Sequence, residues 1–127
     1  MSSGSSGVSD GGEETVFHKI LAKEIPSTPV FEDDRVYAFR DIAPTAPVHV
    51  VVIPKERDGL TGVAAAEERH EPILGHLLWA AKKVAEKEGI HESGYRVVIH
   101  QGKQGCQSVD FIHLHVIGGK QLTWPPG

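Results

Sequence analysis

The stretch SVDFIHLHVIGG, residues 108 to 119, restricts the fold more than any other part of this chain. In a strand successive side chains point to opposite faces, so Ile112, Leu114 and Val116 share one face and Phe111, His113 and His115 the other. The first set reads as core, and a sheet with an apolar face needs a second layer to cover it. One segment is long enough to do so. Between Glu68 and Gly89 the residues Ile73, Leu74, Leu77, Leu78, Ala81, Val84 and Ala85 recur at helical spacing, with Lys82, Lys83, Glu86 and Lys87 opposite. Pro72 is tolerated in the first turn of this helix, and Gly89 is placed to end it in a left-handed cap.

The other segments supply the rest of the sheet. TVFHKILAKEIP predicts a short amphipathic helix capped by Thr15, with Val16, Phe17, Ile20 and Leu21 apolar and Pro26 as its stop. PVFEDDRVYAFRDIAP predicts a hairpin turning at Glu32 to Asp34, with Val36, Ala38 and Arg40 on one face and Tyr37 and Phe39 on the other. APVHVVVIPK is apolar on both faces, which marks a central strand that Pro54 ends. GYRVVIH should pair antiparallel with the 108–117 run through the loop QGKQGCQ. The fold class is therefore α+β, an antiparallel sheet of about five strands with one long and one short helix.

A chain of 127 residues has room for one domain and one core. Its 39% hydrophobic and 24% charged residues are those of a soluble globular protein, and no apolar run approaches the roughly 20 residues that span a bilayer. A formal charge of −4 offers no footprint for nucleic acid, though Lys19, Lys23 and Lys55 can still meet a small anion. The single cysteine, Cys106, excludes an internal disulfide and suits a reducing compartment. MSSGSSGVSDGG, residues 1–12, reads as a disordered tag or linker, with the domain running from Glu13 to Gly127.

Histidines dominate the candidate chemistry. His49 lies within the central strand and His100 at the end of the strand expected to pair with His113 and His115, so these four can converge. His18, His70, His76 and His91 fall on helix faces or termini among charges and are expected to be solvated. Three chemistries suit the cluster. A His-x-His pair completed by His49 or His100 can bind zinc, although alternation turns Asp110, the nearby carboxylate, to the opposite face. A neutral imidazole can attack as a nucleophile without metal. Gly102, Gly105 and Ser108 immediately before the strand can surround a phosphate with backbone N–H groups and a hydroxyl, without the spacing of a nucleoside-triphosphate loop.

Taken together, KEIP, FEDD, DIAPTAPVHVVVIPK, GCQSV and the terminal GGKQLTWPPG closely resemble the histidine-triad (HIT) superfamily, and within it the Hint branch of histidine-triad nucleotide-binding proteins. The likeness extends from Glu13 to Gly127. The family signature His-φ-His-φ-His-φ-φ, with φ hydrophobic, lines up with residues 111 to 117, so Phe111 stands where the first histidine belongs. The resemblance implies a HIT-like fold, a homodimer, and a purine nucleoside phosphoramidate hydrolase of the adenosine 5′-monophosphoramidase type. His113 would attack the α-phosphorus and form a nucleotidyl-histidine, with no metal or other cofactor taking part. His115, Gln107 and Ser108 would contact the phosphate or leaving group. Phe17, Ile20, Phe39, Asp41 and Ile42 would form the nucleoside pocket, Asp41 accepting from the ribose hydroxyls, with His100 and Cys106 also beside the nucleotide. His49 matches a family histidine that lies next to the triad, and Trp124 would reach toward the partner's site. Such proteins occupy cytosol and nucleus.

A second departure from the family is His100, at a position usually held by asparagine. Position 100 is expected to supply an imidazole in place of the one lost at 111, and the carbonyl at 111 to hold one ring nitrogen of His113 protonated. The alternative reading is a catalytically weakened nucleotide-binding or regulatory interaction module that retains the pocket and the dimer. A zinc hydrolase on the same histidines is a third.

Overall fold

A computed structural model describes residues 10–127. Residues 1–9, most of the expected tag or linker, lie outside the described residues. Helix α1 (Val16–Leu21) begins where its cap predicts: the Thr15 hydroxyl accepts from the Phe17 amide at 3.2 Å, and His18 Nδ1 accepts from the Thr15 amide at 2.9 Å. Strands β1 (Pro29–Glu32) and β2 (Val36–Arg40) form the hairpin and are followed by β3 (Val48–Pro54). A 3₁₀ turn at Glu68–His70 leads into α2 (Glu71–Lys87), and β4 (Tyr95–Val98) and β5 (Leu114–Gly118) complete the sheet. All pairings are antiparallel, in the order β1-β2-β3-β5-β4. The expected α+β architecture is thus present, with β3 central.

Helix α2 covers one face of the sheet, where Leu77, Ala81 and Val84 meet Val50, Val52, Leu114 and Val116. A side chain as enclosed as Leu77 contributes about 2 to 3 kcal/mol through burial. The stripe is narrower than the sequence suggests. Leu78, next in sequence to Leu77, points about 100° further round the helix and is 56% exposed. The other face carries a smaller cluster of Phe17, Phe39, Val51, Ile53 and Phe111 beneath α1. Because β3 alternates between these clusters, both of its faces are apolar, and His49 lies on the side of the smaller one.

Two expectations about the ends of elements need correction. The 108–117 run enters the sheet only at Leu114, because the Phe111 amide bonds to the Val109 carbonyl and the Ile112 amide to the Leu60 carbonyl, not to β4. Phe111 and His113 nevertheless keep the alternation of the strand that follows. Residues Asp10 to Gly12, grouped with the linker by composition, are tied to the domain: Arg57 donates to the Asp10 and Gly12 carbonyls at 2.9 Å each. A buried guanidinium needs such acceptors, and flexible composition is no bar to supplying them.

Three of the four histidines expected at the surface are instead structural. His70 is 2% exposed, accepts from the Glu67 amide through Nδ1 and donates from Nε2 to the Asp58 carbonyl. His18 joins the α1 cap to the Asp10 carboxylate at 2.9 Å, and His76 reaches Asp33 at 2.7 Å while stacking on Trp79. Each ring meets local polar groups, and His18 and His76 also pack on an aromatic ring, which a pattern of charges along a helix does not reveal. Only His91 is exposed, as expected.

Candidate active site

The register of the sheet brings the histidines together. His115 pairs with Val51 of β3 and Val98 of β4, and His49 pairs with Ile117. His49 and His115 are therefore diagonal neighbours on one face, a separation that long side chains bridge. His100, two residues beyond Val98, arrives from the other flank. His115 has ring centroids of His100, His49 and His113 at 4.9, 5.1 and 5.0 Å.

The hydrogen bonds assign the protons. A backbone amide can only donate, so the Thr45 amide, 3.1 Å from His49 Nδ1, leaves the His49 proton on Nε2. That nitrogen lies 2.8 Å from His115 Nδ1, which must accept, so His115 carries its own proton on Nε2. Among the described residues, His115 Nε2 is the buried side-chain polar atom with no hydrogen-bond partner. His113 has the opposite arrangement. A carbonyl can only accept, so the Phe111 carbonyl, 2.7 Å from His113 Nδ1, draws the proton there and leaves a lone pair on Nε2.

Electrostatics keep both rings neutral. Burial depresses the His115 pKa to about 4, aided by repulsion from His113, His49 and His100 and opposed by Asp41. Burial also lowers His113, against the raising effect of its bond to the Phe111 carbonyl; His100 lowers it further and Asp41 raises it. The consequence for stability has a definite sign. As pH falls below the ordinary histidine value of about 6.5, the unfolded chain takes up protons that these folded rings refuse, so stability declines. For His115 the decline runs from about 6.5 down to about 4, where the folded ring also titrates. Thermal unfolding followed from pH 7.5 to 4.5 should reveal this loss, and His115→Gln should flatten it.

Beside the histidines an open cavity of about 680 Å³ is lined by Phe17, Ile20, Phe39, Asp41, Ile42, Ser108, His113 and His115 among others. Phe17 sits edge-on to the His113 ring at 4.9 Å, so α1 forms one wall. Asp41 Oδ1 accepts from the Ala43 amide at 2.8 Å, and Oδ2 is 3.5 Å from His49 Nε2. Its carboxylate keeps free lone pairs for a hydroxyl. The loop after α1 also contributes Ile25, Pro26, Ser27 and Thr28, which periodicity does not flag; the signal was the position of IPST directly after the helix bearing Phe17 and Ile20.

Other expected site residues stand elsewhere. His49 is buried behind His115 and lies outside the cavity lining, as does His100. His100 does not take the place of the ring at 111, since the two sit on different flanks: His100 beside His115, and Phe111 against Phe17 and His18. Gln107 is occupied within its loop, its amide donating to the Thr61 and Val109 carbonyls and accepting from Gly102. The amides of Gly102, Gly105, Cys106 and Gln107 are likewise committed inside the loop, which narrows the expected phosphate cradle to Ser108. Gly105 is required by close packing, because a Cβ there would lie 2.5 Å from the Gln101 carbonyl oxygen. Cys106 is exposed in a left-handed turn away from the cavity lining, and Trp124 is 82% exposed on the tail that Arg96 ties down through the Thr123 carbonyl. Asp41, His49 and His115 offer ligand atoms within 4.8 Å of one another, a combination that the sequence did not suggest because the resemblance set Asp41 at the ribose.

Comparison with known proteins agrees with this geometry. The HIT domain family matches residues 22–122. The chain is 65% identical over 113 residues to adenylylsulfatase HINT1 of Arabidopsis thaliana, covering 89% of this chain and 76% of that one. It is 63% identical over 114 residues to a 14 kDa zinc-binding protein of Brassica juncea, covering 90% of this chain and all of the relative. A crystal structure of a HIT family hydrolase from Legionella pneumophila Philadelphia 1 superposes with a TM-score of 0.85 at 45% identity, covering 90% of this chain and 100% of that one. With a matching family, relatives of such identity and a shared sheet, the chain belongs to the HIT superfamily, on its Hint branch.

Proposed function

We propose that the protein hydrolyses nucleoside 5′-phosphate derivatives at the α-phosphorus, with purine nucleoside phosphoramidates as the substrate class and His113 as nucleophile. One observation carries this reading: adjacent imidazoles present a lone pair at His113 Nε2 and an unpartnered proton at His115 Nε2. The nucleoside would lie against Phe17, Ile20 and Phe39, with its ribose hydroxyls toward Asp41. The His113 Nε2 lone pair attacks phosphorus, the new P–N bond forms, and the bond to the leaving amine breaks with its electron pair on the amine, which takes up a proton. His115 Nε2–H donates to a phosphoryl oxygen as negative charge builds there. Ser108, at the cavity wall, is within the same region to meet the leaving group. Water then attacks phosphorus, the P–N bond to His113 breaks with its pair returning to Nε2, and the nucleoside monophosphate departs while water gives up a proton. The Arabidopsis relative's name describes an adenylyl sulfate hydrolase, a reaction that the same two steps would perform with sulfate as leaving group.

Phe111 is the observation that favours the second reading, a weakened nucleotide-binding module. Its ring, however, is fully enclosed between Phe17 and His18, while the group that acts on His113 is its main-chain carbonyl. Turnover of an adenosine 5′-phosphoramidate by the wild type and by Phe111→His separates the two. The enzyme reading expects the wild type to turn over and the variant to change kcat/KM by less than about tenfold. The variant should also lose about 1 to 3 kcal/mol of stability, because it buries a polar ring in an apolar site. A gain of about a hundredfold would establish the weakened module instead.

The name of the Brassica relative raises zinc. Two nitrogens on one tetrahedral zinc stand about 3.3 Å apart at bond lengths near 2.0 Å. His49 Nε2 and His115 Nδ1 are 2.8 Å apart, joined by a hydrogen bond. His49 and His115 as arranged are a hydrogen-bonded pair that fixes the tautomer of His115, too close together to share one zinc ion. Assembly as a homodimer, with Trp124 directed to the partner's site, is part of the same proposal.

A further inference from the structure

Arg57 is the most enclosed cation of the described residues, its side chain 1% exposed, and it belongs to none of the elements that line the cavity. Such a charge is tolerated only when its donors are bonded. Nε donates to the Asp10 carbonyl at 2.9 Å, Nη2 to the Gly12 carbonyl at 2.9 Å and to Asp10 Oδ2 at 3.2 Å, and Nη1 to the Asp110 carbonyl at 2.8 Å. Its Cζ also stands 5.8 Å from the centroid of the Phe111 ring. The last of these contacts reaches Phe111, the residue whose carbonyl orients His113, and the Nη1 bond reaches the peptide group that precedes it.

Both peptide groups flanking Phe111 are held at both ends. In the first, the Asp110 carbonyl accepts from Arg57 and the Phe111 amide donates to the Val109 carbonyl. In the second, the Ile112 amide donates to the Leu60 carbonyl and the Phe111 carbonyl accepts from His113 Nδ1. Leu60 itself is fixed to Arg57, its amide 2.7 Å from the Arg57 carbonyl. One turn, residues 57–60, therefore supplies both clamps. The ring of Phe111 offers no hydrogen bond of its own, so its main chain depends on them.

Building on the proposed function, we propose that Arg57 is a positioning residue for the nucleophile, holding the 110–112 main chain so that the Phe111 carbonyl keeps the His113 proton on Nδ1. Without this hold the peptide plane can turn, the proton can occupy Nε2, and the lone pair needed for attack is lost.

The test uses the full chain with ¹⁵N-labelled histidine and compares wild type, Arg57→Met and Arg57→Lys. Long-range ¹H–¹⁵N correlation reads the tautomer of each ring. The wild type should give His113 with its proton on Nδ1. In Arg57→Met the His113 signals should move toward the Nε2–H form, with kcat falling about 10- to 100-fold and KM within about threefold. Arg57→Lys keeps a cation but cannot bond Asp10, Gly12 and Asp110 together, and should lose about three- to tenfold in kcat. The His115 signals, governed by His49, should not move and serve as the internal control. If Arg57→Met folds with an unchanged His113 tautomer and kcat within twofold, the positioning role is refuted. If Arg57→Met does not fold, Arg57→Lys decides, and wild-type values in both readouts refute it. A wild type inactive on phosphoramidates whose His113 tautomer still shifts in the variants would overturn the proposed function while leaving the role of Arg57 standing.

Discussion

Replacing His113 with alanine should reduce turnover of an adenosine 5′-phosphoramidate by about 10⁴-fold or more, while affinity for the nucleoside monophosphate changes by less than about fivefold. The asymmetry follows from where the residue stands. His113 is 4% exposed at the cavity wall, whereas the nucleoside would rest on Phe17, Ile20, Phe39 and Asp41; of these Phe17 packs on the His113 ring, and it is held in place by Phe39 and Phe111 as well. Removing the ring deletes the atom to which phosphorus is transferred, and no neighbour replaces it. His115 cannot do so, because its Nδ1 is occupied by His49 and its Nε2 carries a proton. Steady-state kinetics with titration calorimetry of the monophosphate checks both halves, and mass spectrometry of wild type quenched in alkaline denaturant, which preserves the acid-labile P–N bond, should find a nucleotidyl adduct on a peptide containing residue 113. Hydrolysis by the alanine variant at an undiminished rate would remove His113 from the mechanism.

The alternation of Phe111 to Val116 was enough to sort core from site, because period-2 geometry holds even where hydrogen bonding to a neighbouring strand has not begun. Alternation did not place His49, because β3 is apolar on both sides; the register, which sets His49 opposite Ile117 and Val51 opposite His115, is what puts His49 on the same face as His115. What alternation could not supply was depth. His49 and His100 share the histidine cluster yet stay behind the cavity wall, a distinction set by register and by the loop that follows β4. The contacts of Gln107 were illegible for a similar reason. Its partners, Thr61 and Gly102, come from a segment distant in sequence and from the start of its own loop, and nothing in GCQS announces that the amide closes the loop on itself. Arg57 was silent because a lone arginine after a strand is ordinarily solvated, and its burial depends on Asp10 and Gly12 from a stretch whose composition reads as linker.

His49→Phe should lower kcat by about 10²- to 10³-fold, comparable to the loss of a single donor that stabilises a developing oxyanion. The residue lies outside the cavity lining and its Nε2 is hydrogen-bonded to His115 at 2.8 Å, against 3.5 Å to Asp41, so the effect on kcat passes chiefly through His115. In the wild type the chain of donors runs from the Thr45 amide to His49 and from His49 to His115, and its direction is set by the one member that cannot reverse, the backbone amide. Phenylalanine fills the space but ends the chain. His115 Nδ1 then has no donor facing it, the proton is free to occupy that nitrogen, and a lone pair on Nε2 would meet the anionic phosphoryl oxygen it should be stabilising. His49→Gln separates this account from simple loss of packing, because its side-chain amide can donate at the reach of the imidazole Nε2, and it should recover kcat to within about tenfold of wild type. Across both variants the His113 tautomer should remain Nδ1–H, since its carbonyl partner belongs to a different segment. A His49→Phe protein with wild-type kcat would mean that the His115 proton has no part in the reaction, and a fall in kcat accompanied by a change at His113 would mean that the two imidazoles are set by one network and not by two.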